Sequence, residues 1–253
     1  MFISFNKITK KYNLEIKGVA HFGAHKGQEV KSYLENNIKN IHLFEPQAHA
    51  FNYLKNNYEF SDEITLYNFG LGHQEKKVDL FKEKVNDGMS SSILQPLKHK
   101  KYYPDILFEE KEQILIKRYE DLNIKNVNFL NIDIQGFELE ALKGCGNKLH
   151  EVDYIYTEIN RKELYRGNHH VREIDKYLKQ FNFLRVQTVW ASSFLPFGDA
   201  LYLKKINITK SRLFLSVIKI ILWSSGLFYI YIDIARPIKK LLIKTRNFFK
   251  TIV

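Results

Sequence analysis

Residues 18–27 read GVAHFGAHKG. An apolar run ends here in a glycine-rich turn, and the polar segment behind it, Gln28–Asn36, reads as a helix. Strand, tight turn and helix in that order are the opening unit of a nucleotide-binding α/β sheet. Gly23 and Gly27 stand four apart, so the turn can be tight and its backbone N–H groups can approach a ligand closely. The N-terminus of the helix that follows carries partial positive charge. Two glycines after a strand also make a plain turn, so the next strand decides. Asn40–Glu45 reads NIHLFE, an apolar run closed by an acid about twenty residues beyond the glycines. An acid so spaced is positioned to accept hydrogen bonds from both ribose hydroxyls of an adenosine.

Outward from this unit the same alternation continues. Glu15–Phe22, Ile41–Phe44, Ile64–Phe69, Val127–Ile134 and Tyr154–Ile159 read as strands. Ala48–Asn57, Phe137–Leu142 and Val171–Phe181 space their apolar residues as helices do. Lys77–Lys82 alternates and predicts a strand antiparallel to its neighbour; Ile114–Lys117 predicts another short one. Leu184–Trp190 and Ala200–Lys204 predict a closing hairpin around Pro196–Gly198. Strands alternating with helices, then a hairpin, argue an α/β fold whose sheet is mostly parallel with an antiparallel edge. Met1–Leu14 reads as a mixed lead-in, Asn86–Glu112 as a long functional or mobile segment, and Arg161–His170 as a polar lid.

At 253 residues the chain is long enough for one α/β domain with a full core and some extra. Hydrophobic content of 45% and charged content of 26% are those of a globular protein and exclude a disordered one. The single cysteine, Cys145, excludes a disulfide framework and fits a reducing compartment. Met1–Tyr12 lacks the long apolar core of a signal peptide, so a cytoplasmic location is expected. The net charge of +11 is uneven: from Ile206 onward nine Lys and Arg face one acid, so +8 of it lies in the tail.

Polar residues gather where strands end, which is where open α/β sheets bind ligands. These are His21, Gly23 and His25; Glu45; Asn68-Phe69-Gly70; Asp133 through Glu138; Glu158-Ile159-Asn160; and Gly198-Asp199. Five converging strand ends, with the hairpin beside them, say more than any one motif. Each has a plainer reading: Asp133 as a helix cap, Glu158 paired with Arg161 or Lys162, Glu138 as a first-turn helix acid. A metal held by Asp133, Gln135 and Glu158 is not expected, because their spacing is not that of a metal site.

In these stretches the chain resembles the FkbM family of S-adenosylmethionine-dependent methyltransferases. The matching segments are GVAHFGAHKGQE, HLFEP, LYNFGLG, GMSSSILQP, VNFLNIDIQGFELEALKG, VDYIYTEIN, EIDKYL and GDALYL, covering roughly Ile16–Lys204 in family order. The resemblance implies a class I methyltransferase fold, a Rossmann-like seven-stranded sheet with helices on both faces. It also implies O-methylation of a hydroxyl, often on a sugar or natural-product scaffold, with S-adenosyl-L-methionine as cofactor. By position, Gly23, Ala24 and Gly27 would form the cofactor turn, Glu45 would hold the ribose hydroxyls, and Asn68–Leu71, with Gly70, would sit near the adenine. Asp133 and Gln135 would face the methionine end and the acceptor. Two positions depart from the family pattern. His21 stands where methyltransferases often carry an acid for the methionine amine, and Gln135 where many relatives carry Glu. Methyl transfer to oxygen needs alignment and a base; the candidates, in order, are Asp133, Glu158 and His25.

The reading divides the chain into a methyltransferase domain, residues 1–205, and a helical tail, residues 206–253. Leu213–Ile232 is twenty residues with one charge, Lys219. As a helix it would be about 30 Å long, enough to span a bilayer. Yet Arg212, Ser216, Lys219, Trp223, Gly226 and Asp233 share one face, and basic residues flank both ends. Residues 213–252 therefore read as an amphipathic anchor lying on an anionic membrane surface. A helical pair packed on the domain or on a dimer partner is the competing reading, and a single span a third. Three functions follow: methylation of a sugar in a glycan or glycolipid at a membrane, methylation of nucleic acid, and non-catalytic nucleotide binding. The tail's dense aliphatic content argues against a nucleic-acid arm.

Overall fold

The structure, a computed structural model, describes residues 1–207. The tail, with the anchor reading placed on it, lies outside the described residues. In chain order the elements are α1 (Phe5–Tyr12), β1 (Val19–Phe22), α2 (Val30–Glu35), β2 (Ile41–Phe44), α3 (Ala48–Tyr58), β3 (Ile64–Tyr67), β4 (Gly70–Leu71) and β5 (Lys76–Lys82). There follow α4 (His99–Tyr102), β6 (Glu110–Lys117), β7 (Phe129–Ile132), α5 (Glu138–Gly144), β8 (Tyr154–Asn160), α6 (Val171–Lys179), β9 (Phe183–Trp190) and β10 (Phe197–Lys204).

Seven strands form the main sheet in the order β3-β2-β1-β7-β8-β10-β9. β1 pairs in parallel with β2 and β7, β2 with β3, and β7 with β8. β10 runs antiparallel to both β8 and β9. This is the mostly parallel sheet with an antiparallel edge that the alternation predicts. β1, β2, β7 and β8 are buried along their whole length. That is why each reads as a continuous apolar run. Successive side chains enter opposite layers: Phe129 joins Phe5, Tyr33 and Leu43 on one face, and Leu130 joins Phe22, Leu142 and Leu178 on the other.

Two features differ from the sequence expectation. The lead-in holds a helix, α1, which buries Phe5 and Ile8; the Phe5 ring meets Tyr33 at 4.8 Å and Phe129 at 5.2 Å. The strand predicted over Lys77–Lys82 leaves the main sheet. As β5 it pairs antiparallel with β6 in a separate three-stranded sheet ordered β4-β6-β5, around Leu80, Ile114 and Ile116. Among the described residues no helix is long and apolar enough to cross a membrane.

Candidate active site

β1 lies at the switch point of the sheet: the chain winds outward from it through β2 and β3 on one side and returns through β7 and β8 on the other. Beyond the carboxyl ends of these strands lies a cavity of about 510 Å³. That volume falls within the roughly 300–1,000 Å³ of small-molecule sites.

The turn after β1 is held by Gly23 and Ala24, whose N–H groups donate to the Phe44 carbonyl (2.9 and 3.0 Å). Gly23 has φ +79°, and a Cβ there would overlap the Asp133 carbonyl. Only glycine lets the β1 and β7 ends approach so closely. Gly23 lines the cavity. Gly27 instead faces Leu54, Val30 and Tyr58, so its lack of a side chain serves helix packing. Ala24 is buried in the same layer of core as Leu54.

Glu45 follows β2 and is 2% exposed. Its carboxylate accepts the His25 N–H at Oε2 and the Gln47 N–H at Oε1, both at 2.8 Å. Burial pushes the carboxyl up to about 7 against these two bonds. Beside it, Gln47 Nε2 donates to the Gly88 carbonyl (3.2 Å), while Gln47 Oε1 is buried without a hydrogen-bond partner. Asn68 donates to the Glu45 carbonyl (2.9 Å) and braces this corner from behind. Gly70 borders the cavity. His25 belongs to this end as well: its ring bonds the Asp87 carbonyl (2.7 Å) and Gln28 (2.9 Å). His25, His49 and Asp87 bring ligand atoms within 4.8 Å of one another, and the Lys26 ammonium already pairs with the Asp87 carboxylate.

The other end gathers acids. Gln135, at φ +54°, donates from Nε2 to Asp133 Oδ1 (2.8 Å) and to Glu158 Oε2 (3.0 Å). Its Oε1 accepts from the Tyr165 hydroxyl (3.0 Å), which fixes which way the amide points. Asp133 is exposed in the cavity, whereas Glu158 is 5% exposed. Burial, then the nearby Asp133, Glu138 and Asp199 carboxylates, pushes the Glu158 carboxyl well up. Glu138 accepts the Gly136 N–H (2.9 Å) and pins the turn after β7; burial raises it to about 7. Asp199, opposite Glu158 in the β8–β10 register, accepts from the Tyr156 hydroxyl and from the Phe2 N–H (2.6 Å). Burial raises it to about 6.

Two further segments reach the cavity wall, the loop 83–92 and, through Leu164, the segment 161–170. In the loop 83–92, Ser92 Oγ donates to the Gln135 carbonyl (2.7 Å), and Gly88 takes φ +83° against Gln47 and His49. In the segment 161–170, Tyr165 is fully buried and its hydroxyl also reaches the Ser90 carbonyl (2.9 Å). Strand-end reading did not find Glu29, Tyr156 and the Met1–Phe2 segment, all of which border the cavity. Their roles come from tertiary contact; the GQE run after the turn is the one local signal for Glu29.

A family model described as the methyltransferase FkbM domain matches residues 21–185. Over 177 residues the chain is 24% identical to 2-O-methyltransferase NoeI of Sinorhizobium fredii (strain NBRC 101917 / NGR234), covering 66% of this chain and 72% of NoeI. It is also similar in structure to methyltransferase FkbM from Methylobacillus flagellatus KT, with TM-score 0.51 and 16% identity. That match covers 74% of this chain and 43% of the other, so the chain spans less than half of that longer protein.

Proposed function

The chain belongs to the FkbM methyltransferase family, and from that premise we propose that it methylates a hydroxyl on a sugar of a glycan or glycolipid. It is an S-adenosylmethionine-dependent methyltransferase. The sugar acceptor is supported by the likeness to NoeI, named as a 2-O-methyltransferase, and by the carboxylates around Gln135, which suit a hydroxyl-rich ligand. One observation carries the cofactor's fit: Glu45 and Gln47 stand side by side among the residues that line the cavity at the end of β2. Each oxygen of the Glu45 carboxylate holds one N–H and keeps a lone pair for a further donor, such as a ribose hydroxyl.

In this reading Glu45 and Gln47 hold the ribose end, Gly23 lets the ligand approach the backbone, and Asp133 with Gln135 borders the methionine end. S-Adenosylmethionine, when bound, supplies an electrophilic methyl group on a sulfonium. Asp133, exposed in the cavity and steadied by the Gln135 amide, takes the proton from the acceptor hydroxyl. Glu158 steadies Gln135 from the other side and is the next candidate base; His25, expected as a third, stands at the Glu45 end with both ring nitrogens bonded, to the Asp87 carbonyl and to Gln28. Methyl transfer is an in-line displacement, so alignment of the acceptor hydroxyl with the methyl group would supply much of the rate.

Residues 213–252 would hold this activity against an anionic membrane surface on the cytoplasmic side, as their basic amphipathic pattern suggests. The test is transfer of labelled methyl from S-adenosylmethionine by the full chain to glycolipid and to RNA fractions. Label in the glycolipid sugar supports the reading; label in RNA alone, or in neither, overturns it.

A further inference from the structure

We propose that His25, His49 and Asp87 hold a zinc-like divalent metal ion, with Gln47 Oε1 as a further oxygen ligand, at the Glu45 end of the cavity. Three separate parts of the chain bring these residues together: the turn after β1, the first turn of α3 and the loop 83–92. His25 and His49 both donate from Nε2 to one atom, the Asp87 carbonyl oxygen, at 2.7 and 3.1 Å. His49 Nε2 also lies 3.9 Å from Asp87 Oδ1. Ligand atoms of the three residues all fall within 4.8 Å of one another. Two imidazoles aimed at one point beside a carboxylate are the donor set of a borderline metal such as zinc. Magnesium and calcium take oxygen ligands instead.

Two further observations point to a ligand there. Gln47 is 7% exposed, and its Oε1 is a buried oxygen with no hydrogen-bond partner. An orphaned acceptor in such a place calls for a donor or a cation. Next to it, the point that a Cβ on Gly88 would fill is 2.6 Å from Gln47 Oε1 and 3.2 Å from His49 Nε2. A methyl group clashes there, whereas an ion that bonds oxygen at about 2.0–2.2 Å does not. Behind His25, the Gln28 amide stands 2.9 Å from Nδ1. Metal-bound imidazoles donate their other N–H to such a partner, and a half-turn of the Gln28 amide presents its oxygen for that bond. The Lys26 ammonium pairs with the Asp87 carboxylate. It brings positive charge to the place but cannot use the imidazole lone pairs, and a dication takes over its partner. Zinc bonds of about 2.0–2.2 Å set tetrahedral ligands roughly 3.4 Å apart. The metal therefore draws the Asp87 carboxylate inward and clasps the loop 83–92 to the turn after β1.

The test uses the untagged full chain, stripped of metal with a chelator and then dialysed. Titration with Zn²⁺ against a chromogenic chelator should show one site with a Kd below about 1 μM. Co²⁺ in its place should give the visible absorption of a four-coordinate ion. His49→Ala removes a ligand at a side chain 37% exposed, so it opens no hole in the core. Its zinc affinity should fall by about a hundredfold or more, because loss of even an outer partner typically costs about 10–100-fold. Gln28→Ala should fall within that range of about 10–100-fold. Should His49→Ala not fold, His49→Gln keeps a polar side chain there and should show the same loss. His169→Ala serves as the control, since His169 and His73 share Glu140 away from this site; it should bind zinc as the unaltered chain does. No site of that affinity in the unaltered chain overturns the assignment. So does a zinc affinity that the His49 variants leave unchanged, or one that falls with His169→Ala instead.

Discussion

Glu45 sits 2% exposed at the nucleotide end of the cavity, and burial holds its carboxyl near 7. Its folded pKa lies above the unfolded value, so the proton is bound more tightly in the folded chain. The stability this contributes is fully present below about pH 4.5 and is lost as pH rises through about 7. Ribose hydroxyls donate to the charged form, so ligand binding runs the other way. The affinity for S-adenosylhomocysteine should rise with pH, by up to about tenfold per unit, and level off above about 7. Glu45→Gln should bind more weakly and lose this component of the pH dependence; a titration series from pH 5.5 to 8.5 reads both. Gln135 makes a second test. Gln135→Leu keeps the bulk but removes the amide shared by Asp133 and Glu158 and the acceptor it offers the Tyr165 hydroxyl. Methyl transfer should fall at least tenfold while S-adenosylhomocysteine binding changes little, a split that single-turnover assays and calorimetry resolve.

The loop 83–92 on the cavity wall turns at one glycine. At φ +83°, Gly88 lies where an added Cβ would meet Gln47 Oε1 at 2.6 Å and His49 at 2.9 Å. Gly88→Ala should cost about 1–3 kcal/mol, through strain and the push on Gln47. Thermal melts should show a lower Tm, and binding should weaken because Gln47 stands beside Glu45. The parallel strands were legible because each is buried on both faces and stops at a polar or glycine residue: Phe22 before Gly23, Phe44 before Glu45, Ile132 before Asp133. Helix α1 was not, because its two buried apolar residues, Phe5 and Ile8, stand among lysines in an eight-residue span. The place of β5 was not legible either. Its alternation predicts a strand, but nothing local says that its partner is Glu110–Lys117, whose first half is charged. Of the site, Glu45, Asp133 and Glu158 followed from strand ends. Glu29 and Tyr156 did not, because only tertiary contact brings them to the cavity wall.

At the scale of the molecule, among the described residues, those from 1 to 205 carry every strand of the main sheet and both of its core layers. A chain ending at Asn207 should therefore melt cooperatively and bind S-adenosylhomocysteine as the full chain does. Loss of both would mean that the basic tail belongs to the core, against the division proposed from its composition. The strand order also governs how the protein comes to fold. β1 has β2 beside it early, but its other neighbour is β7, and His21 meets Asn131 across 110 residues of chain. Until those residues are synthesised, the future centre of the sheet is an open edge of apolar strand, able to pair with another chain. The loop to be closed is long, and its entropy is lost before the pairing rewards it. Refolding should thus be slow and concentration-sensitive, and a fragment ending before Phe129 should aggregate rather than fold.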